Sequence, residues 1–433
     1  MDTISSIYDK FMTCSGITTD SRNCPAGSMF LALKGASFNG NSFARKALEA
    51  GCRYVVVDEE AYYDAGDPRY LLVADGLKAL QQLACHHRRQ LGTPLIGITG
   101  TNGKTTTKEL IAAVLGKQFN ILFTQGNLNN SIGMPLTLLR LKKEHQLGVI
   151  EMGASHPGDI KELVDVAEPD YGIITNVGRA HLQGFGSFEG VIHTKGELYD
   201  FLRSKGKATI FIHHENPYLQ QMTHDLDKVE YGEDNHLYIN GHVTGNSPFL
   251  EFEWKAGATG NVHHVKTHLI GEYNFCNALA AVCIGTYFNV PAEKIDEAIQ
   301  NYIPQNNRSQ LQQTDSNTLI IDAYNANPTS MKASVENFQK MKAENKMLIL
   351  GDMLELGEES RHEHQQIVDL LQRSGFSDIH LVGKEFASTQ HGYASYQSVD
   401  ELIEHLKAHK PVGKTILIKG SNSIKLSKVV EYL

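Results

Sequence analysis

Short apolar runs recur along the chain, each closed by glycine or polar residues and followed by a segment with helical spacing. Leu95-Ile96-Gly97-Ile98 predicts a buried strand that leads through Thr99-Gly100-Thr101-Asn102-Gly103-Lys104-Thr105-Thr106-Thr107 into a helix over 108–115. Leu147-Gly148-Val149-Ile150 predicts a second buried strand and delivers Glu151 at its C-terminal end. Tyr171-Gly172-Ile173-Ile174-Thr175 predicts a third, delivering Asn176 and, five residues on, His181. A helix that starts near Ser187 carries Lys195-Gly196-Glu197. Strands alternating with helices from Leu95 to about residue 300 predict a parallel sheet with crossover helices. Within the β-rich segment 208–270, Leu250, Phe252 and Trp254 alternate with Glu251 and Glu253, the period of a half-buried strand. Gly271 to Ala281 opens an alanine-rich helix.

The pattern differs on either side of this region. Ahead of it, Ser28–Gly35 predicts a strand and turn, Phe43–Gly51 a helix stopped by glycine, and Tyr54–Val57 a buried strand. Behind it the periodicity breaks at Ile303-Pro304-Gln305-Asn306-Asn307. Three strands then end in small or charged residues before helices: Thr318–Asp322, Met347–Leu350 and Thr415–Ile418. The expected fold class is α/β in three domains. They are a smaller N-terminal α/β domain over 1–91, a central phosphate-loop ATPase-like parallel sheet over 92–303 and a C-terminal open α/β sheet over 304–433.

Composition narrows the function classes. Of 433 residues, 41% are hydrophobic and 21% charged, which supports a buried core in several domains. A net charge of −9 offers no broad basic face for nucleic acid. The six cysteines are scattered without a Cys-x-x-Cys pair, which predicts free thiols in a reducing compartment. No basic leader with an apolar core opens the chain, and no apolar run is long enough to span a bilayer, so a cytoplasmic protein without membrane insertion is expected.

The candidate chemistry centres on the glycine-bracketed loop. Glycines let backbone N–H groups turn inward around phosphate oxygens, and the following helix N-terminus adds partial positive charge. Lys104 would reach the β- and γ-phosphates and the Thr105 hydroxyl would ligate Mg²⁺, an ATP site whose first glycine, Gly97, stands one residue early for the common pattern. Glu151 either caps the following turn or serves as a Mg²⁺ ligand across from that loop. Gly126-Asn127-Leu128-Asn129-Asn130 is either a turn or a set of amides facing a polar substrate. Thr18-Thr19-Asp20-Ser21-Arg22 is either a solvated turn or a cluster that offers hydroxyls and a guanidinium to a phosphorylated ligand. His181 is a loop histidine or a ligand, and a lysine such as Lys195 on a helix is ordinarily a solvated charge. Asn274 and Asn277 share a helix face and either cap it or touch a base. His86-His87-Arg88-Arg89 reads as a basic helix terminus favoured by the dipole, and Arg361-His362-Glu363-His364 as a polar helix face.

In this order and spacing, the motifs resemble the Mur ligases of peptidoglycan synthesis along nearly the whole chain. The resemblance rests on Thr99–Thr105, Glu151, Asn176 with His181, Lys195-Gly196-Glu197, Asn274 with Asn277, Gly126–Gly133, Asp322-Ala323-Tyr324-Asn325-Ala326-Asn327-Pro328 and Leu350-Gly351-Asp352-Met353. Asn39, Tyr273 and Asn422 stand where that family usually has Asp, His and Arg. The resemblance implies ATP-dependent amide formation between a UDP-N-acetylmuramoyl tripeptide and D-alanyl-D-alanine by way of an acyl phosphate, in a monomer that uses ATP and Mg²⁺. It implies catalytic roles for Lys104, His181 and Lys195. ATP contacts would come from Gly100, Thr101, Asn102, Gly103, Lys104, Thr105, Thr106, Asn274, Asn277, Arg308 and Asp322. Substrate contacts would come from Thr19, Asp20, Ser21, Arg22, Asn127, Asn129, Asn130, Tyr324, Asn325 and Asn327. It further implies one Mg²⁺ on Thr105 and Glu151, a second Mg²⁺ on His181 that Lys195 as a carbamate also holds, and closure of Arg308 and Asp322 over ATP. Two alternatives stand beside it: a related Mur-type or folylpolyglutamate-type amide ligase, which the Asp322–Pro328 stretch disfavours, and a non-catalytic ATP-gated binding protein.

Overall fold

The strand that ends in the glycine loop, Leu95–Thr99, is buried along its whole length and lies inside a nine-stranded sheet. This structure, a computed structural model, describes every residue except 224 and 306; the break in pattern at 303–307 therefore includes one position, Asn306, outside the described residues. Leu147–Glu151 flanks Leu95–Thr99 on one side, and Tyr171–Ile174 flanks it on the other, all parallel. The chain therefore reverses its winding at Leu95–Thr99, and the loop after this strand opens at the switch point where an α/β sheet forms its crevice. Ile98 is paired with Glu151 and Thr99 with Ile174, so the ends of all three strands share one edge.

The sheet is not parallel throughout, as the alternation had led us to expect. Beyond Thr209–His213 and Asp227–Gly232 it continues through Ile239–Asn246, Leu250–Ala256 and His263–Lys266, and these last three pair antiparallel. The cause lies in the side chains. Leu250, Phe252 and Trp254 are buried while Glu251 and Glu253 are only partly so. A strand with one wet face suits antiparallel pairing, whereas two-sided burial suits the parallel core.

Two further sheets flank this one. Ile17–Thr18, Met29–Leu31, Tyr54–Val57 and Tyr70–Leu72 form a four-stranded parallel sheet. Six strands between Gln310 and Tyr396 and at Thr415–Lys419 form the other, parallel except for the antiparallel edge strand Gln310–Gln313. Ser187 caps the helix Phe188–Lys205 by accepting from Gly190 N–H. Asn327 and Ser330 form a capping box on Pro328–Lys340.

Two charged helix segments are more buried than their sequences suggest. Arg88 and Arg89 lie in the last turn of the helix Gly76–Leu91, as expected of a basic terminus, but His87 and Arg88 are buried. His87 Nε2 meets Leu141 O at 2.9 Å, and Arg88 donates to Ala167 O and Glu168 O, both at 2.7 Å, and to Asp170 at 3.0 Å. Asp170 in turn accepts from Leu95 N–H, so this clamp fixes the base of the strand that carries the glycine loop. Glu363 and His364 are also buried, not a solvated face: Glu363 pairs with Arg179 at 3.2 Å, and His364 accepts from Met353 N–H at 3.0 Å. The periodicity could not reveal these partners because they lie on distant segments.

Arg88→Ala should lower the stability read by chemical denaturation by about 2 kcal/mol, since it strips a charged donor from buried carbonyls. Arg89→Ala, which removes only a solvent-exposed pairing with Glu168, should change it by under about 1 kcal/mol.

Candidate functional site

The loop of residues 100–103 is shaped by two glycines that nothing larger could replace. Gly100 sits at φ +140 with Thr175 Oγ1 2.1 Å from where a Cβ would stand. Gly103 sits at φ +78, with Asn277 Oδ1 2.5 Å from that position. The loop is then stitched to the end of the neighbouring strand. Asn102 N–H donates to Asn176 Oδ1 (3.0 Å), Asn102 O accepts from Thr175 Oγ1 (2.6 Å) and Asn176 Nδ2 (3.0 Å), and Gly178 N–H donates to Thr101 Oγ1 (2.9 Å). The helix starts at Lys104, four residues earlier than predicted, so Lys104 and Thr105 occupy its first turn. Lys104 Nζ donates to Gly100 O at 2.7 Å and Thr101 O at 3.0 Å. Burial, reinforced by the Arg308 charge and opposed by Glu151, pulls its pKa down to about 8. An anion placed on this loop would relieve that penalty.

Glu151 is almost wholly buried opposite Thr105. Its Oε1 accepts from Thr105 Oγ1 (3.2 Å) and Asn129 Nδ2 (2.8 Å), whereas Oε2 has no hydrogen-bond partner. A buried carboxylate oxygen without a hydrogen bond, its nearest cation Lys108 Nζ at 3.9 Å, beside a hydroxyl and a phosphate loop fits a hard cation such as Mg²⁺. Among the described residues, no group of three or more His, Cys, Asp or Glu side chains stands close enough to hold a metal alone. That is the expected state for a cation which takes one or two protein ligands and completes its shell with phosphate and water.

His181 and Lys195 converge on Phe185. Lys195 Nζ lies 5.1 Å from the ring centroid, and the His181 ring centroid lies 6.2 Å from it. Lys195 is not the solvated charge of an ordinary helix lysine, being only 2% exposed. Burial, with the Lys104 charge nearby, lowers its pKa to about 7. His181 Nδ1 faces the carboxylate of Glu355, which arrives from the C-terminal sheet's side.

A cavity of about 810 Å³ joins these groups. Thr101 to Thr106, Asn127, Asn129, Asn130, Glu151 and His181 line one wall. Asn274, Asn277, Arg308, Asp322, Tyr324 and Asn325 line another. Asn274 and Asn277 bond one another (2.9 Å), and Asn277 accepts from Thr107 Oγ1 (3.1 Å); neither side chain caps the helix Phe275–Tyr287. Arg308 stacks on Tyr324, its guanidinium 3.8 Å from the ring centroid, and Asp322 accepts from the buried Lys419 at 2.5 Å. Asn130 uses its side chain to cap Gly133 N–H at 2.8 Å.

Several expected residues lie elsewhere. Asn327 does not line the cavity; it caps its own helix and donates to Asn102 Oδ1 at 2.8 Å. Thr19, Asp20, Ser21 and Arg22 are also outside it, and Asp20 binds Arg22 through two guanidinium contacts of 2.9 Å in a largely exposed turn. Gly100 and Lys195 sit directly behind the lining. Sequence reasoning gave no role to Glu355, Ser309 or Thr175. Ser309 meets Tyr273 Oη at 2.8 Å, which places Tyr273, one of the departures from the family pattern, at a seam between sheets. Thr175 had a signal in its position at a strand end, but Glu355 had none beyond its nearness to Asp352.

Three family models match the chain in sequence: Mur ligase family, catalytic domain, over residues 13–88; Mur ligase middle domain over 98–285; and Mur ligase, glutamate ligase domain, over 307–422. A UDP-N-acetylmuramoyl-tripeptide–D-alanyl-D-alanine ligase of Bacillus subtilis (strain 168) is 36% identical, covering 96% of this chain and 93% of that protein. The like-named ligase of Escherichia coli (strain K12) is 34% identical, covering 98% and 94%. Crystal structure I of MurF from Acinetobacter baumannii superposes with a TM-score of 0.88 at 28% identity, covering 99% of this chain and 98% of that one. MurF from Thermotoga maritima in complex with ADP shares the fold, with a TM-score of 0.86 at 24% identity, covering 100% and 98%.

Gly103→Ala should weaken ADP binding roughly tenfold or more, because it combines left-handed strain with a collision against Asn277; tenfold corresponds to about 1.4 kcal/mol. Gly206→Ala, also left-handed at φ +76 but with open space around it, should leave ADP affinity unchanged in the same calorimetric titration.

Proposed function

The chain belongs to the Mur ligase family, and from that premise we propose that it joins D-alanyl-D-alanine to a UDP-N-acetylmuramoyl tripeptide at the expense of ATP, a step of peptidoglycan precursor synthesis. The observation that carries this reading is the cavity in which a phosphate loop, a buried carboxylate with one oxygen free of hydrogen bonds, and Arg308 from the C-terminal sheet face one another. The substrate carboxylate attacks the γ-phosphorus, ADP leaves, and an acyl phosphate forms. The dipeptide amine then attacks the acyl carbon, and inorganic phosphate and a proton leave as the amide forms.

The physical difficulty is bringing a carboxylate against a triphosphate, since the two anions repel. The N–H groups of the first turn of the Lys104 helix, held in place by the glycine loop, cradle the β- and γ-phosphates. Lys104 leaves the Gly100 and Thr101 carbonyls for the phosphate oxygens, and Arg308 approaches from the other wall. Thr105 and Glu151 would hold one Mg²⁺ and His181 a second, and the two would neutralise the charge that builds between donor and acceptor. Lys195, as a carbamate, would add an anionic ligand beside His181. Its burial and lowered pKa favour the neutral amine that carbamylation needs. Asn129, Tyr324 and Asn325 contact the peptidyl and dipeptide substrates, while the N-terminal unit 1–91, through Thr19, Asp20, Ser21 and Arg22, receives the UDP end. The units 92–303 and 304–433 supply the two walls of the ATP cavity. Among the described residues, no helix is long and apolar enough to cross a membrane. The proposed substrates are water-soluble, and the proposed site of reaction is the cytoplasm.

Phosphate release by the purified protein should require both the UDP-linked tripeptide and D-alanyl-D-alanine, with stoichiometric amide product. Release that depends on neither cosubstrate would replace this reading with an ATP-driven switch. Lys104→Ala should lower turnover about a hundredfold or more at saturating ATP, the scale of one preorganised charge.

Carbamylation of Lys195 should rise as pH increases through about 7, because only the neutral amine captures CO₂ and lower pH protonates it. ¹³C-bicarbonate NMR of the wild type and Lys195→Ala checks this. The variant should lack the carbamate signal and most activity, with partial rescue by short carboxylic acids. Wild-type activity in Lys195→Ala would reduce the residue to a buried packing group.

A further inference from the structure

The loop that follows the Lys346–Gly351 strand places Glu355 at φ +64, a left-handed backbone that a residue with a side chain rarely adopts. It is docked on the central domain by its main chain: Glu355 O accepts from Gln183 N–H at 3.2 Å, and Gly357 packs against the Gln183 side chain. His181, two residues before Gln183, is also left-handed, at φ +50. Glu355 Oε2 abuts His181 Nδ1, and apart from that carboxylate this buried nitrogen has no hydrogen-bond partner. The other carboxylates of the cavity are committed elsewhere. Glu151 binds Thr105 and Asn129, Asp159 binds the backbone of Ser155 and His156, Glu162 binds Gln81, and Asp322 binds Lys419.

We propose that Glu355 is the positioning residue for His181, fixing the proton on Nδ1 so that Nε2 keeps the lone pair that a metal needs. A carboxylate can only accept, so a neutral imidazole facing it must carry its proton on the facing nitrogen. Histidine ligands are commonly oriented by such a carboxylate on the far ring nitrogen. Here the carboxylate belongs to a different domain from the histidine. The ring therefore acquires its working orientation only when the 354–357 loop docks on 181–183, and domain closure completes the ligand. This rests on the reading of His181 as a metal ligand.

The test uses the full-length protein saturated with ADP, with ¹⁵N-labelled histidine and His181→Ala to assign the signal. Wild type should show His181 protonated at Nδ1, Glu355→Ala should show mixed tautomers, and Glu355→Gln, which keeps an accepting oxygen, should restore the wild-type pattern. Calorimetric titration with Mg²⁺ should give an affinity about 10- to 100-fold weaker in Glu355→Ala, with ADP affinity in the absence of metal and the melting temperature unchanged. An unaltered tautomer in Glu355→Ala overturns the proposal. So does an unaltered Mg²⁺ affinity there if His181→Ala weakens it. If His181→Ala also leaves Mg²⁺ affinity unchanged, the metal role of His181 falls instead, and the tautomer pattern alone decides whether Glu355 orients the ring.

Discussion

Everything in the site depends on a loop that must be empty of side chains and yet rigid. Gly100 and Gly103 leave no Cβ, and the space a Cβ would take is filled by Thr175 and Asn277. A flexible glycine loop would lose its conformational freedom on each binding event, at about 1–2 kcal/mol per residue. The bonds from Asn102 to Thr175 and Asn176 meet that entropy cost at folding, so the loop already holds the N-terminus of the Lys104 helix in place when phosphate arrives. Arg88 and Asp170 act one step further back, holding the base of the Leu95–Thr99 strand. A clamp on one side of the sheet thus sets the precision of a loop at the other.

Charge is the second constraint. Lys108, Lys195 and Lys419 are sequestered from solvent and Lys104 is half-buried in the cavity wall, an expensive arrangement unless each has a partner or is neutral. Lys419 has Asp322, and Lys108 donates to Thr124 O at 2.7 Å. Lys104 has only loop carbonyls and Lys195 an aromatic face, and these are the two lysines whose pKa values fall furthest. The site is thus poised for incoming negative charge at both lysines.

How much of this could be read from the sequence follows the range of the interactions. Strands marked by continuous apolar runs, such as Tyr54–Val57 and Thr318–Asp322, fell where the pattern put them, as did the Ser187 cap. Local chemistry was legible too: Lys104, Thr105 and Glu151 face one cavity because loop, helix and strand end are each encoded within a few residues. What failed was burial decided by distant segments. Nothing near Lys195 announces that Phe185 and the neighbouring helices will enclose it, and nothing near Arg88 announces the carbonyls of 167 and 168. Antiparallel pairing at 239–266 was only half legible: the alternation at 250–254 marks a one-sided strand, but its pairing partners lie on separate segments.

The seam between the central and C-terminal sheets has the composition of a contact meant to be remade. Its apolar part is small, with Ile270 joining the C-terminal core, while Asn102 meets Asn327, Arg179 meets Glu363 and Thr329, and Gln183 meets Glu355. Polar contacts of this kind contribute about 1 kcal/mol each after exchange with water. A handful can therefore be broken or formed by the charge of a bound nucleotide, whereas a broad apolar interface would lock the domains together. The same residues stand next to the phosphate-facing groups: Asn102 lies within the loop, and Gln183 follows His181. A ligand that binds at these points with a different affinity for the docked and undocked seam would shift the free energy of the seam directly, with no separate relay.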